Sequence, residues 1–257
     1  MKKRLISFLS LLPLSLLVPA QLPDAAEIMN KSREMTITGS LSATLSLTIT
    51  EKNNSVRTRT ISMQTKSYPD GVEKRFVRFV EPADVKGTAM LIYDNKDIAD
   101  EMWIYLPALK KTRRIVSSEK GKSFMSSEFS NADMSSPTLS DFKNRHLQNS
   151  GENNIWVVES TPVSDDKADE YGYSKKVSYI STDKYIVKKM EFYNFDNQIY
   201  KIIEIKSVQP GANGKYIISD MTSRNLTNGR SSEIKFSSIK MEAVIDDSVF
   251  TLQNLEK

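Results

Sequence analysis

The sequence has 257 residues, 39% hydrophobic and 26% charged, with no cysteine and a formal charge of +4. That composition excludes a disordered or collagen-like chain, and the missing cysteines exclude disulfide scaffolds, thiolate metal sites, thiol nucleophiles and lipid attachment at an N-terminal cysteine. The length suits one or two domains, and all-β chains of this size commonly form a single unit.

Lys2, Lys3 and Arg4 precede an apolar run from Leu5 to Val18, and Val18-Pro19-Ala20 supplies the small residues that a signal peptidase reads. Residues 1–20 therefore read as a cleaved Sec signal peptide, too short for a membrane span and interrupted by Pro13. Ala25-Ala26 offers a second cleavage point. Cleavage after Ala20 removes three basic side chains and no acidic one, leaving residues 21–257 with a charge of +1. So small a charge argues against a nucleic-acid or membrane-coating role, and the mature chain is expected to be soluble outside the cytoplasm.

Asp24 is a candidate N-cap for one short amphipathic helix, whose pattern fades near Gly39. From there the chain reads as strand after strand. Leu41, Ala43, Leu45, Leu47 and Ile49 alternate with Ser and Thr, the clearest period of two in the sequence. Asn53-Asn54 turns the chain into a partner strand over 56–65. Further strands are expected at 72–80, 88–93, 101–106, 112–116, 155–163, 175–181, 185–195, 199–208, 215–224 and 231–241. Turn-forming residues such as Tyr68-Pro69-Asp70-Gly71 and Asn228-Gly229 separate several of them. Strands at this spacing, with no alternating helices, imply an antiparallel sandwich, barrel or strongly curved sheet.

Residues 117–154 break the rhythm, with Phe124, Met125, Phe129, Met134, Leu139, Phe142 and Leu147 scattered among polar residues. Two readings stand: an ordered insertion completing the core, or a lid over an apolar cavity.

The residues offer little catalytic chemistry. His146 is the only histidine, so a triad or histidine metal site has no second candidate. Gly121-Lys122-Ser123 resembles the end of a phosphate loop, but Val116 stands where its first glycine belongs. Asp165, Asp166, Asp169 and Glu170 lack calcium-loop spacing and read as a solvated loop. No enzyme activity, metal or cofactor is expected. The basic cluster Lys110, Lys111, Arg113 and Arg114 reads either as a solvated hairpin end or as a contact for anionic head groups or an acidic partner.

Over residues 76–134 the pieces Glu81-Pro82-Ala83-Asp84, Lys86-Gly87-Thr88, Trp103-Ile104-Tyr105-Leu106-Pro107-Ala108, the Lys-Lys-Thr-Arg-Arg run and Ser123-Phe124-Met125-Ser126-Ser127-Glu128-Phe129 occur in fixed order. In this the chain resembles the LolA-like family of outer-membrane lipoprotein-sorting proteins. The similarity extends more loosely over most of the mature chain. The resemblance implies a mainly β fold: an incomplete, half-open antiparallel β-barrel of about eleven strands, with short helices over the concave face.

It also implies a soluble periplasmic carrier that binds lipoprotein acyl chains or other lipid in an apolar hollow and delivers them toward the outer membrane. The expected partners are an inner-membrane transporter and an outer-membrane acceptor, and the expected state is a monomer. LolB-like receptors of the family are anchored through an N-terminal cysteine, which this chain lacks. Candidate cavity residues are Leu45, Leu47, Ile49, Ile61, Met63, Trp103 and Tyr105, although cavity and core faces look alike in sequence. Candidate lid residues are Phe124, Met125 and Phe129. Arg57 and Arg59 share phase with Ile61 and Met63, so either a bulge intervenes or basic groups enter the hollow and meet a head group or partner. The alternative function is an accessory subunit docked on an inner-membrane exporter.

Overall fold

The computed structural model describes residues 23–36, 39–96, 98–147 and 154–257. The signal-peptide reading of residues 1–20 lies outside the described residues. Among those described, no helix is long and apolar enough to cross a membrane.

β1 (Leu41–Thr50) shows why the sheet forms. Leu41, Ala43, Leu45, Leu47 and Ile49 are buried on one face, and the Ser and Thr between them are half-buried on the other. It is followed by β2 (Val56–Ser67), β3 (Glu73–Glu81), β4 (Ala89–Asp94), β5 (Glu101–Leu106) and β6 (Lys111–Arg114). The second half contains β7 (Phe142–His146), β8 (Ile155–Pro162), β9 (Lys175–Ser181), β10 (Val187–Tyr193), β11 (Ile199–Pro210), β12 (Tyr216–Asn225) and β13 (Ser231–Met241). All thirteen belong to one sheet in the order β6-β5-β4-β3-β2-β1-β13-β12-β11-β10-β9-β8-β7, and every neighbouring pair is antiparallel.

The sheet is thus two meanders joined at its centre, where Leu41 faces Met241 and Thr50 faces Ser231. It does not close on itself, and β6 and β7 are its two edges. This is the expected half-open barrel, with thirteen strands where about eleven were expected. β7 falls inside the stretch read as an insertion.

Because β6 and β7 are consecutive in the chain and at opposite edges of the sheet, the segment between them must cross the hollow. It does so as a plug. Its first turn, α2 (Ser117–Lys120), packs against α3 (Asp165–Tyr171) through a close approach of two glycines that follow them. A Cβ on Gly121 would lie 3.0 Å from the Gly172 backbone, and Gly172 itself has φ +78°. Buried Lys120 and Glu170 pair at 2.7 Å beside this contact. Burial pushes the Glu170 carboxyl up, but Lys120 and Lys167 outweigh it and hold it below the usual range. Residues 165–171 are therefore a helix with a buried acid, correcting the solvated-loop reading. Ser164 caps it, Asp165 and Asp166 occupy its first turn, and left-handed Gly172 ends it.

Further along, the plug's polar residues act as anchors. Ser232 Oγ accepts from the Glu128 amide at 2.9 Å, Ser223 Oγ donates to its carbonyl at 2.9 Å, and Arg230 pairs with its carboxylate at 2.8 Å. Ser135 Oγ donates to Asp100 at 2.7 Å, and the Ser136 amide donates to Asp94 at 2.7 Å. Arg33 of α1 (Ala25–Glu34) completes this junction with a 2.9 Å bond to Asp94. α1 itself covers the concave face near the β7 edge, burying Ala25, Ile28 and Met29 against Val158 and Ile180.

The convex face is covered separately. Residues 243–255 fold back over β3, β4 and β5, burying Ala243, Ile245, Phe250 and Leu255 against Phe76, Ala89 and Leu91. Tyr93 Oη donates to the Phe250 carbonyl at 2.8 Å, and Arg78 donates to that of Asn254 at 2.8 Å.

Two stability measurements follow from this packing. Phe250→Ala removes a side chain that is 1% exposed and is expected to lower the unfolding free energy by about 3–5 kcal/mol in urea titrations. Asp100 is raised to about 6, first by burial and then by the Asp94 charge. An acid raised in the folded state leaves stability intact below its unfolded pKa and erodes it as pH rises through the folded value. Asp100→Asn should therefore have little effect near pH 4 and gain about 2–3 kcal/mol on the wild type above pH 7, at about 1.4 kcal/mol per pKa unit. An unchanged difference across that range would refute the assignment.

Candidate functional site: an apolar cavity on the concave face

Side chains opposite one another in register share a face, so the concave surface can be followed across the sheet. Ile234 faces Leu47 and Met221 faces Ile234 on one side of the centre, while Leu45 faces Ile61, Met63 faces Val77 and Val77 faces Met90 on the other. The plug fills the end of this hollow near Leu47 and Ile49. The other end holds a cavity of about 330 Å³. Leu45, Ile61, Met63, Met190, Phe192 and Ile203 are among its strand walls, and Phe124, Phe129 and Met134 of the plug wall it on the inner side. Half-buried Ile205, Ile218 and Phe236 bring its lining to the surface and form one side of its mouth. There the β11–β12 register slips between Ile205 and Val208, which lets Ile218 reach the rim.

Four charged side chains line this apolar space: Glu73, Arg75, Asp133 and Lys176. Glu73 and Arg75 pair at 2.7 Å, and Arg75 also donates to the Met134 carbonyl. Asp133 accepts from Lys201 at 2.8 Å and from the Ser130 amide at 2.7 Å. Lys176 is 6% exposed, and burial lowers its ammonium to about 8. Burial, followed by the neighbouring Asp141, pushes the Tyr171 phenol far up, and burial with Tyr171 does the same to Tyr173, so both stay neutral donors. Among the described residues no group of three His, Cys, Asp or Glu side chains is placed to hold a metal ion.

The structure sorts the sequence candidates. Leu45, Ile61, Met63, Phe124 and Phe129 meet around the cavity. Leu47 and Ile49 share that face but are fully buried in the core beneath the plug. Phe124 and Phe129 form the cavity's inner wall, and Met125 packs against the core beside them.

Trp103 and Tyr105 do not line the cavity. They point to the convex face, where Trp103 meets Tyr93 edge-on at 5.1 Å and both pack under residues 243–255. Met102 and Ile104 are the β5 residues that face the hollow side. The strand is apolar on both faces, so its phase was ambiguous in sequence. Lys176, Met190, Phe192 and Ile203 were not singled out from sequence. The period of β9 to β11 around Lys176 could have shown a lysine in phase with buried positions.

Arg59 enters the hollow without a bulge in the β1–β2 register, is 7% exposed, and donates to the Met125 carbonyl. Arg57 stays outside, paired with Glu51 at 2.5 Å. Lys110 and Lys111 are exposed at the β5–β6 hairpin end, while Arg113 and Arg114 pair with Glu119 at 2.6 Å and Glu101 at 3.1 Å. His146 Nε2 donates to the Pro23 carbonyl at 2.6 Å, a tie to the start of α1.

Comparison with solved structures places this architecture. A domain from Vibrio parahaemolyticus, provisionally described as an outer membrane lipoprotein-sorting protein, is 26% identical with a TM-score of 0.82, over 91% of this chain and 98% of its own. A DUF1329 family protein from Desulfovibrio piger is 23% identical with a TM-score of 0.79, over 90% and 97% of the two chains. A LolA superfamily protein from Nitrosomonas europaea shares the fold at 17% identity and a TM-score of 0.69, over 90% and 99%. None of the curated proteins matches the sequence. A family model described as an uncharacterized protein-like family matches residues 71–257. Since that match spans well over half of the sequence, the chain belongs to this family, and its fold is that of the LolA-like lipoprotein-sorting proteins.

Proposed function

We propose that the protein is a non-enzymatic carrier that shelters an acyl chain, of a lipoprotein or another lipid, in the concave cavity and moves it through the periplasm toward the outer membrane. The observation that carries this reading is the cavity itself: an apolar hollow left unfilled beside a plug that occupies only one end of the barrel. Well-packed interiors leave few voids larger than a water molecule, so a space of about 330 Å³ lined mainly by Leu, Ile, Met and Phe suits something largely apolar. The description of the Vibrio parahaemolyticus domain agrees with a lipoprotein-sorting role.

The physical need for a carrier is plain. An acyl chain with about 14 buried methylenes at ~0.8 kcal/mol each loses on the order of 10 kcal/mol in water. The cavity supplies comparable apolar contact, and its half-buried mouth lets the chain leave again. Methionines at positions 63, 90, 134, 190 and 221 line the wall and adapt to chains of different shape. The signal-peptide pattern in residues 1–20 supports a periplasmic site of action. A monomer serves this role, exchanging cargo with an inner-membrane transporter and an outer-membrane acceptor.

Leu47 is unsuitable for testing the idea, because it is fully buried and its loss would report stability. Ile205 is half-buried at the mouth, so Ile205→Glu should fold normally by circular dichroism. It should lower binding of a palmitoylated peptide at least tenfold in fluorescence titrations. Native mass spectrometry of protein from membrane-containing cells should show bound lipid in the wild type. A folded wild type with no acyl binding would overturn the proposal.

A further inference from the structure

Of the four charged groups in the cavity wall, three are matched and one is not. Glu73 is neutralised by Arg75, and Asp133 by Lys201. Lys176 has no hydrogen bond or ion pair with any described residue, although it is 6% exposed and lines the cavity. Its nearest charged influences are Asp133, which favours the ammonium, and Lys201, which opposes it. Asp133 is already shared between Lys201 and the Ser130 amide, so the cluster of Lys176, Lys201 and Asp133 keeps one positive charge in excess.

Aromatic rings stand close to Lys176. Its ammonium lies 5.6 Å from the Phe142 ring, and Phe192 faces it in register from β10. An uncompensated ammonium in such surroundings is costly unless something supplies the counter-charge. Burial has already brought it to about 8, low for a lysine but still mostly protonated at neutral pH.

The position of this charge within the cavity decides what can supply it. Lys176 belongs to a row that runs Ser160, Lys176, Phe192, Lys201 and Asn225 across β8 to β12. That row ends at Asn225, which donates to the plug residue Glu128 at 2.9 Å, so it marks the inner end of the cavity. The mouth at Ile205 is four residues further along β11 from Lys201, about 13 Å at the usual strand rise. Between the two lie Ile203 and Met190, and Met221 faces Ile205 itself. Along β10 to β12 the wall is therefore apolar from the mouth inward and ends on a single unmatched cation. Its volume of about 330 Å³ is at the small end of ligand sites, so it fits one alkyl chain rather than several.

We propose that the cavity selects a single-chain amphiphile with an anionic end group, a carboxylate or a phosphate monoester, which enters head first and pairs with the Lys176 ammonium. The inference rests on the carrier reading and narrows its cargo. It gives the cavity a polarity that an alkane-like chain alone would not use. A single negative charge at this point, as a carboxylate or a monoanionic phosphate monoester carries, restores neutrality to the Lys176–Lys201–Asp133 cluster, and the chain behind it covers the wall as far as Ile205.

The test compares three twelve-carbon probes competing with a fluorescent apolar dye on the full mature chain at pH 7: dodecanoate, dodecyl phosphate and 1-dodecanol. The wild type should bind at least one of the two anions ten times or more tightly than the alcohol. Preference for dodecanoate names a fatty acid as the source of the anion, and preference for dodecyl phosphate names a phosphorylated lipid. In Lys176→Met the anion-to-alcohol affinity ratio should fall to near one, and in Lys176→Arg it should stay high. Should the methionine variant fail to fold, the wild-type ratio and the arginine variant still decide the matter. A wild-type ratio near one with the alcohol bound overturns this inference and leaves the carrier reading standing. A high ratio unchanged in Lys176→Met overturns the role of Lys176. If none of the three probes nor a palmitoylated peptide binds, both the inference and the carrier reading fall.

Discussion

The pairing of β1 with β13 is the constraint on which the rest of the molecule depends. It joins the beginning and the end of the sheet at its centre, and so sends β6 and β7 to opposite edges. A chain that ends one meander at one edge and starts the next at the other must cross between them, and the hollow of a curved sheet is the short way across. The plug is thus a consequence of topology before it is a functional device. Its serines and acids are needed because a crossing segment cannot join a β-ladder, and its backbone groups must find partners elsewhere. Glu128, which accepts from Ser223 and Asn225, donates to Ser232 and pairs with Arg230, shows how one residue can tie such a segment to the sheet's centre.

The crossing also separates core from cavity. Where the plug touches the sheet, Leu47, Ile49 and Phe79 are sealed and contribute to stability as any interior does. Where it stops, the same strands continue with the same period but have nothing above them. Core and site are therefore one continuous apolar surface divided by where the plug lies.

Much of this was legible in sequence because the strands carry a period of two and the hairpins carry Asn and Gly. β7 was missed because Phe-Lys-Asn-Arg-His has a single apolar residue and pairs with only one neighbour. α3 was missed because its acids look solvated, although Ser164 before two aspartates and Gly172 after the last turn were available as cap signals. The facing of Trp103 was undecidable, since β4 and β5 are covered on both sides: by the hollow on one and by residues 243–255 on the other. Lys176 was invisible for a different reason. Composition treats a lysine as surface, and only the register of β8 to β10 shows that its row points inward.

The central pair has one more consequence, for the order in which the molecule is made. Leu41 cannot meet Met241 until nearly all of the chain is available. The β1–β2 hairpin can form early, but the other edge of β1 stays open until β13 arrives, with Leu41, Ala43, Leu45, Leu47 and Ile49 uncovered beside it. Contacts this distant in sequence close slowly, and an open apolar edge invites pairing with other chains in the meantime. The finished sheet has no such exposure at its ends: β6 reads Lys-Thr-Arg-Arg, and β7 carries Lys143 and Arg145. Charge protects the permanent edges, whereas the temporary one at the centre depends on the rest of the chain arriving in time, or on a chaperone that holds β1 until it does.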